Sequence, residues 1–141
     1  MASILGINAY HGDSSACLVI DGKLVAAVEE ERFRREKHWA GFPELSIKWC
    51  LDYACVSVRD VEHIAISRNP RSQLHKKIWF AAKSRRSITS LWDRASNARA
   101  VMSVKSRLKS AFPDDSDHIN PKSHSIEHHR SHSASAFLVS P

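Results

Sequence analysis

The strand pattern of this chain is set by residues 3–28, which read SILGINAYHGDSSACLVIDGKLVAAV. The first apolar run, 3–10, has the length of a buried strand and ends in a polar turn. Two further apolar runs, 16–20 and 24–28, flank Asp21-Gly22, a dipeptide typical of a two-residue hairpin turn. The segment therefore predicts three consecutive strands, the last two forming a hairpin. Because neither hairpin run alternates strictly, we expect a sheet covered on both faces.

The rest of the chain predicts an α/β fold. Pro43 suits a first helical position, and the apolar residues that follow it repeat at helical spacing, as Ile47, Cys50, Leu51 and Ala54. Strands are predicted at 61–66 and 123–127, with a helical excursion between them and a final helix after them. The order β-β-β-α-β, excursion, β, α predicts a ribonuclease H-like lobe of the actin and sugar-kinase ATPase type.

The positive charge is confined to one segment. The chain of 141 residues has a net charge of +6, and residues 71–109 hold eleven Lys and Arg against one acid, Asp93. That segment therefore carries +10 and the remainder −4. We treat 71–110 as a basic helical insertion. Trp79, Phe80 and Trp92 are interleaved with these basic residues, a pattern that suits binding of a nucleic acid. The alternative is a solvated helical excursion whose tryptophans pack on the domain.

Size and composition indicate one domain, or part of one, with 43% hydrophobic residues. No apolar run is long enough for a membrane span, and the N-terminus lacks the pattern of a signal peptide, so we expect a cytoplasmic protein and no membrane partner. Cys17, Cys50 and Cys55 lie in apolar surroundings without CxxC spacing. We expect small buried thiols and no disulfide.

Two histidines near the end of the chain form a candidate metal site. In Glu127-His128-His129-Arg130-Ser131-His132 the first and third histidines are four residues apart, so on a helix they project from one face. Such a pair can bind a divalent metal, although a third ligand must come from elsewhere. Phe137 would lie about 180° from His128 and could pack on the core. The alternative is an ordinary solvated helix, since the chain has nine His.

Two further segments carry polar side chains with candidate roles. In lobes of this type, ligands bind at the turn between the first two strands, here His11-Gly12-Asp13-Ser14-Ser15, where backbone amides can face phosphate oxygens. The run of mixed charge at 29–38 breaks the apolar pattern. Taken alone, it indicates a solvated loop or a frayed helix.

Together these segments resemble one family, the O-carbamoyltransferases of the nodulation-factor and antibiotic-biosynthesis type. The matching stretches are ILGINAYHGDSSACLVIDGKLVAAVEEERFRREKHWAGFP at 4–43 and IEHHRSHSASAFLVSP at 126–141. The basic insertion corresponds to no motif of the family. The resemblance covers the first third and the last tenth of the chain.

The resemblance implies that residues 1–141 are the N-terminal lobe of a carbamoyltransferase domain. A second domain of the family makes carbamoyl-adenylate from carbamoyl phosphate and ATP, and the first moves the carbamoyl group to a substrate hydroxyl. We expect the second lobe, a downstream Asp ligand and the adenylate-forming domain to lie outside this chain, which would be inactive alone. The implied partners are a small hydroxyl substrate, carbamoyl phosphate and ATP; nucleic acid is not expected.

The resemblance also implies roles for single residues. The family's metal pair falls on His128 and His132, and the ion is iron, zinc or manganese. His11 is a candidate general base, because its unperturbed pKa lies near neutrality. Asp13 would orient His11 or hold a metal-bound water. The remaining assignments are nucleotide binding by Ser14 and Ser15, and substrate binding by Arg32, Lys37 and His38, from the charged motif EERFxRxKH.

Two alternatives stay open at this point. A tRNA-modifying threonylcarbamoyl-transfer protein would share the lobe and the histidine pair, although the turn at 10–16 and the EEERF run favour the first family. A non-enzymatic nucleic-acid-binding protein would use residues 71–109.

Overall fold

The described residues form a five-stranded mixed sheet with helices. The computed structural model describes residues 2–10, 12–67 and 104–138, with only the backbone given at 128, 135 and 138. Its strands are β1 (Ser3–Asn8), β2 (Ser15–Ile20), β3 (Lys23–Glu29), β4 (His63–Ile66) and β5 (Lys122–Ser125). Its helices are α1 (Glu31–Arg34), α2 (Glu44–Tyr53), α3 (Val104–Ala111) and α4 (His128–Leu138).

The strand order confirms the predicted lobe. The sheet runs β3-β2-β1-β4-β5, with β1, β2 and β3 antiparallel, and with β4 and β5 parallel to β1 and to each other. A meander of three strands followed by parallel strands reached through helices is the ribonuclease H-like plan. Most of the basic insertion, residues 71–103, lies outside the described residues. Its last part forms α3.

The predicted hairpin is present. Asp21 and Gly22 both have positive φ, 48° and 80°, as a type I′ turn requires. The side chain of Asp21 accepts a hydrogen bond from the backbone N–H of Ala2 at 2.7 Å, which ties the turn to the start of β1. A bulge between Leu18 and Val19 interrupts the pairing of β2 with β3.

One face of the sheet carries the core. Leu5, Leu18 and Ile64 are aligned across β1, β2 and β4, and each is fully buried. Helix α2 packs against β2 and β3 with its predicted apolar stripe, whose buried members are Ile47, Cys50 and Leu51. Val104 and Leu108 of α3 join the same cluster. The registers align Leu5, Leu18 and Ile64, and they share one face of the sheet because successive residues of a strand point to opposite sides.

The prediction that both faces are covered is wrong for the described residues. The opposite face of β1, β2 and β4 is only partly buried, and all four residues of β5 are exposed. The side chains at its centre are small: Gly6, Cys17, Ala27 and Ala65 line an open cleft. The apolar runs gave no sign of this, because small residues also count as apolar in a pattern.

The expectation of three buried thiols holds only in part. Among the described residues all three cysteines are free; Cys50 is buried, Cys17 is partly buried and Cys55 is exposed. Burial raises the pKa of the Cys17 thiol, and burial, with the nearby Cys17 as a second cause, raises the pKa of Cys50 to about 11. Cys55 follows α2 with a positive φ of 52°, at the point where the helix has ended.

The charged run after β3 is mostly solvated, as predicted, but it contains one buried carboxylate. Glu30 is 0% exposed and accepts hydrogen bonds from the backbone N–H and the hydroxyl of Ser46, both at 2.8 Å. It also accepts from the N–H of Leu45 and pairs with Arg34 at 2.9 Å. Glu30 thereby satisfies free amides in the first turn of α2, a role normally filled by a side chain next to the helix.

No helix among the residues that the structure describes is long and apolar enough to cross a membrane.

Candidate functional site

A cleft of about 690 Å³ lies over the small-residue face of the sheet. Its floor comes from β1, β2, β3 and β4, and one wall comes from α4 and the residues before it. Three of the residues selected from the sequence line this cleft: Ser15 from the start of β2, Arg32 from α1 and His132 from α4. The structure therefore brings together the turn after β1, the charged run and the histidine helix, which are far apart in the chain.

The histidine helix is present as predicted. His128 and His132 both lie in α4, at the four-residue spacing that puts them on one face. The carboxylate of Glu127 accepts from the N–H of Arg130 at 3.2 Å, which satisfies one free amide of the first turn. His132 lines the cleft. The side chain of His128 lies outside the described residues.

The predicted packing of α4 through Phe137 is wrong. Phe137 is 86% exposed, although the nine-residue offset from His128 does place it on another face of the helix. The helix has no continuous apolar stripe, since five of its eleven positions are serine or alanine and four are histidine or arginine. No described part of the chain covers Phe137.

The turn after β1 contains an aspartate paired with a histidine from the charged run. The Oδ1 atom of Asp13 lies 2.9 Å from Nδ1 of His38, and their side chains are 56% and 80% exposed. Both residues have positive φ, 65° and 57°, which non-glycine residues seldom adopt. The predicted partner of Asp13, His11, lies outside the described residues. Asp13 therefore contacts His38, which the sequence had assigned to substrate binding and not to the turn after β1.

Backbone hydrogen bonds join the loop that carries Asp13 to the loop that carries His38. The N–H of Ser14 donates to the carbonyl of Trp39 at 3.0 Å, and the Ser14 hydroxyl donates to the carbonyl of Gly41 at 2.8 Å. The N–H of Tyr10 also donates to Gly41, at 3.3 Å. Next to this junction the guanidinium of Arg34 lies 4.3 Å from the centre of the Trp39 ring, a cation–π contact.

The two serines selected for phosphate binding differ in position. Ser14 is 0% exposed and its hydroxyl is engaged with Gly41, so its geometry favours a role in joining the two loops. Ser15 lines the cleft. Of the three residues selected from the charged motif, Arg32 lines the cleft, His38 pairs with Asp13, and Lys37 is exposed.

Asn8 and Ser67 are two polar residues of the cleft that no sequence pattern singled out. The Ser67 hydroxyl donates to Oδ1 of Asn8 at 3.0 Å, and Nδ2 of Asn8 donates to the carbonyl of Asp13 at 3.0 Å. Both line the cleft. They stand at the carboxyl ends of the parallel neighbours β1 and β4, where α/β folds usually bind ligands, and that position was a usable signal.

The metal site predicted on α4 can be compared with the described residues. The helical spacing of His128 and His132 and the position of His132 in the cleft suit two imidazole ligands. Within the described residues no group of three or more His, Cys, Asp or Glu is arranged to hold a metal ion. A complete site on these histidines therefore needs a further ligand.

Comparison with known proteins gives the family. A model of the family described as Carbamoyltransferase N-terminus matches residues 3–141. The Synechocystis protein sll1178 is 40% identical over 151 aligned residues, which include the whole chain and 24% of that protein. Nodulation protein NolNO of Sinorhizobium fredii is 48% identical over 58 residues, covering 41% of the chain and 8% of that protein.

One solved structure aligns with most of the chain. YeaZ from Pseudomonas aeruginosa aligns with 90% of this chain and 43% of its own, at 15% identity and a TM-score of 0.48. The chain spans about a quarter of the length of sll1178, and the part of it that aligns with NolNO spans less than a tenth of that protein. Because the family model covers nearly every residue, the chain belongs to the carbamoyltransferase N-terminus family.

Proposed function

We propose that this chain is the N-terminal lobe of an enzyme that moves a carbamoyl group from carbamoyl-adenylate to a substrate hydroxyl. Family membership supports the transfer of a carbamoyl group. The observation that carries the proposal is the shared cleft, in which Ser15, Arg32 and His132 come together from three separate segments. Carbamoyl phosphate and ATP are the proposed sources of the carbamoyl-adenylate.

Proton transfer from the acceptor hydroxyl is assigned to the turn after β1. His11 is the general base proposed from the sequence. The contact between Asp13 and His38 adds a second candidate, because a histidine that donates from Nδ1 to a carboxylate keeps Nε2 available to accept a proton. Asn8 holds the carbonyl of Asp13 and so fixes the backbone of this pair at the carboxyl end of β1.

The anionic part of the donor is assigned to the cleft. Arg32 supplies a permanent positive charge, and the Ser15 hydroxyl can donate to a phosphate oxygen. Lys37 and His38 extend the cationic and polar surface of the same motif. We assign Ser14 to the junction of the two loops, in view of its bond to Gly41.

A divalent metal, iron, zinc or manganese, is proposed on His128 and His132 with a third ligand from outside the described residues. When bound, such an ion neutralises phosphate charge and orients the nucleotide. His132 lines the same cleft as Arg32 and Ser15, so a metal on this histidine would be held at the wall of that cleft.

Metal titration tests this assignment. We expect His132→Ala and His128→Ala each to weaken binding of Zn²⁺ or Mn²⁺ at the cleft by at least about tenfold, since two ligands become one. His129→Ala is the matched control, because it removes an imidazole from the same helix at an angle of about 100° from His128. An unchanged titration in both His128→Ala and His132→Ala would remove the metal assignment.

Activity tests the rest of the proposal. The 141 residues alone are expected to give no carbamoyl transfer from carbamoyl phosphate and ATP, because they match only a carbamoyltransferase N-terminus and carbamoyl-adenylate formation is assigned to a separate adenylate-forming domain. Turnover by these residues alone would contradict the assignment of carbamoyl-adenylate formation to another domain. In a polypeptide that includes that domain, Asp13→Asn is expected to lower kcat by about 10- to 100-fold while the isosteric side chain preserves the loop. Glu36→Gln is a control on an exposed carboxylate of the charged run.

A further inference from the structure

Two histidines outside α4 meet across β4 and β5. The strands are parallel, with His63 aligned with Lys122 and Ala65 aligned with His124. Residues two apart on a strand share a face, so His63 and His124 stand on the same side of the sheet. That side is the cleft face, since Ala65 lines the cleft. His63 is partly buried and His124 is exposed.

The nitrogen atoms of the pair are close. Nδ1 of His63 lies 3.0 Å from Nε2 of His124, and the ring centres are 5.1 Å apart. One arrangement is an N–H···N hydrogen bond between neutral rings. The same separation suits a shared metal ion: with metal–nitrogen bonds of about 2.0–2.1 Å, two imidazole nitrogens lie roughly 2.9 Å apart at a right angle and roughly 3.3 Å apart at a tetrahedral angle.

We infer that His63 and His124 form a cross-strand site for a divalent transition-metal ion of the zinc and nickel class. Neutral imidazole is a borderline ligand that selects such ions over calcium and magnesium. The exposure of His124 gives the ion access from solvent. Water fills the remaining coordination positions of the ion. In the described part of the chain, no group of three or more His, Cys, Asp or Glu could hold a metal. Binding is therefore weaker than at a closed structural site.

The site would link an exposed strand to the sheet. All four residues of β5 are exposed, and it has no second strand neighbour in the described sheet. Only Ile126 and Glu127 separate β5 from α4, which carries His132 into the cleft wall. An ion shared by His63 and His124 would hold β5 against β4 and so stabilise the position of α4 at the cleft. This inference does not depend on the carbamoyl-transfer proposal.

Calorimetric titration with Zn²⁺ and with Ni²⁺ tests the site, using the chain with His128→Ala and His132→Ala so that the α4 pair cannot contribute. We expect one ion to bind per chain. His63→Gln or His124→Gln should each lower the affinity at least tenfold, whereas His118→Gln, a substitution of an exposed histidine in a turn, should not. Lys122→Gln should tighten binding, because it removes a positive charge aligned with His63.

Thermal unfolding supplies a second measurement. A saturating ion that binds the folded chain raises its unfolding midpoint, and a chelator reverses the rise. We expect this rise in the parent, which is the chain with His128→Ala and His132→Ala, and its loss when His124→Gln is added. His124 is exposed, so this variant should fold even if His63→Gln does not. Equal affinity and equal midpoint shifts in the parent and His124→Gln would overturn the site and leave only a hydrogen bond.

Discussion

The two faces of the five-stranded sheet carry side chains of different sizes. On one face Leu5, Leu18 and Ile64 are fully buried under α2 and α3. On the other, Gly6, Cys17 and Ala65 leave space for a cleft that also receives Arg32 and His132. The same strands therefore serve two purposes, because successive residues point to opposite sides. Stability is concentrated on the first face, whereas the polar side chains suited to chemistry border the second.

The largest expected effect comes from the core face. Leu5→Ala removes a fully buried side chain from β1 and should lower the free energy of unfolding by about 3–4 kcal/mol, through lost burial and the cavity that remains. Ile4→Ala is the matched control on the other face of the same strand, where the side chain is only partly buried. We expect less than half the loss there. Equal losses in urea unfolding would erase the difference between the faces.

The next effect concerns the buried carboxylate that joins β3 to α2. Glu30→Ala removes the acceptor for two backbone amides and one hydroxyl of the first turn of α2, and leaves Arg34 without this partner. We expect a loss of about 2–3 kcal/mol in unfolding free energy. Glu31→Ala removes the same charge one residue later and should cost less than about 0.5 kcal/mol. A mild effect of Glu30→Ala would mean that water replaces the carboxylate.

A smaller effect is expected on the cleft floor. A Cβ atom at Gly6 would lie 2.5 Å from Sγ of Cys17, so Gly6→Ala should destabilise the chain by about 1–2 kcal/mol through overpacking. Cys17→Ala removes the sulfur and should restore most of that loss in the double variant. The unfolding free energies of both single variants and the double variant measure this coupling. Strictly additive effects would show that the two residues do not meet.

The smallest effect belongs to the Asp13 and His38 pair. Because both side chains are more than half exposed, Asp13→Asn should change the unfolding free energy by less than about 1 kcal/mol. Asparagine tolerates the positive φ of this position, so the backbone need not move. Urea unfolding of Asp13→Asn, beside its effect on kcat, separates a role in chemistry from a role in stability. A loss above about 2 kcal/mol would make the pair a structural one.

Several elements followed from local patterns in the sequence. The Asp21-Gly22 turn, the apolar stripe of α2 and the helix that carries His128 and His132 depend on neighbouring residues alone. The fold class followed from their order. By contrast, Glu30 was read as part of a solvated run, and its burial depends on amides that lie 15 and 16 residues further along the chain. No local pattern records such a contact.

The candidate site also combines residues that local sequence patterns predicted with contacts that they did not predict. The sequence selected Ser15, Arg32 and His132, and the structure places all three on one cleft. No sequence pattern predicted that Ser14 joins two loops, that His38 contacts Asp13, or that Phe137 is exposed. Each of these depends on how segments far apart in the chain approach one another.

The sequence by itself determined the strands, the helices and the family of this chain, because turn residues, apolar spacing and short motifs act over a few neighbouring positions. Only the tertiary structure decided which face of the sheet is filled and which is open. Side-chain size on aligned strands sets that outcome, and the alignment exists only once β1, β2 and β4 have paired.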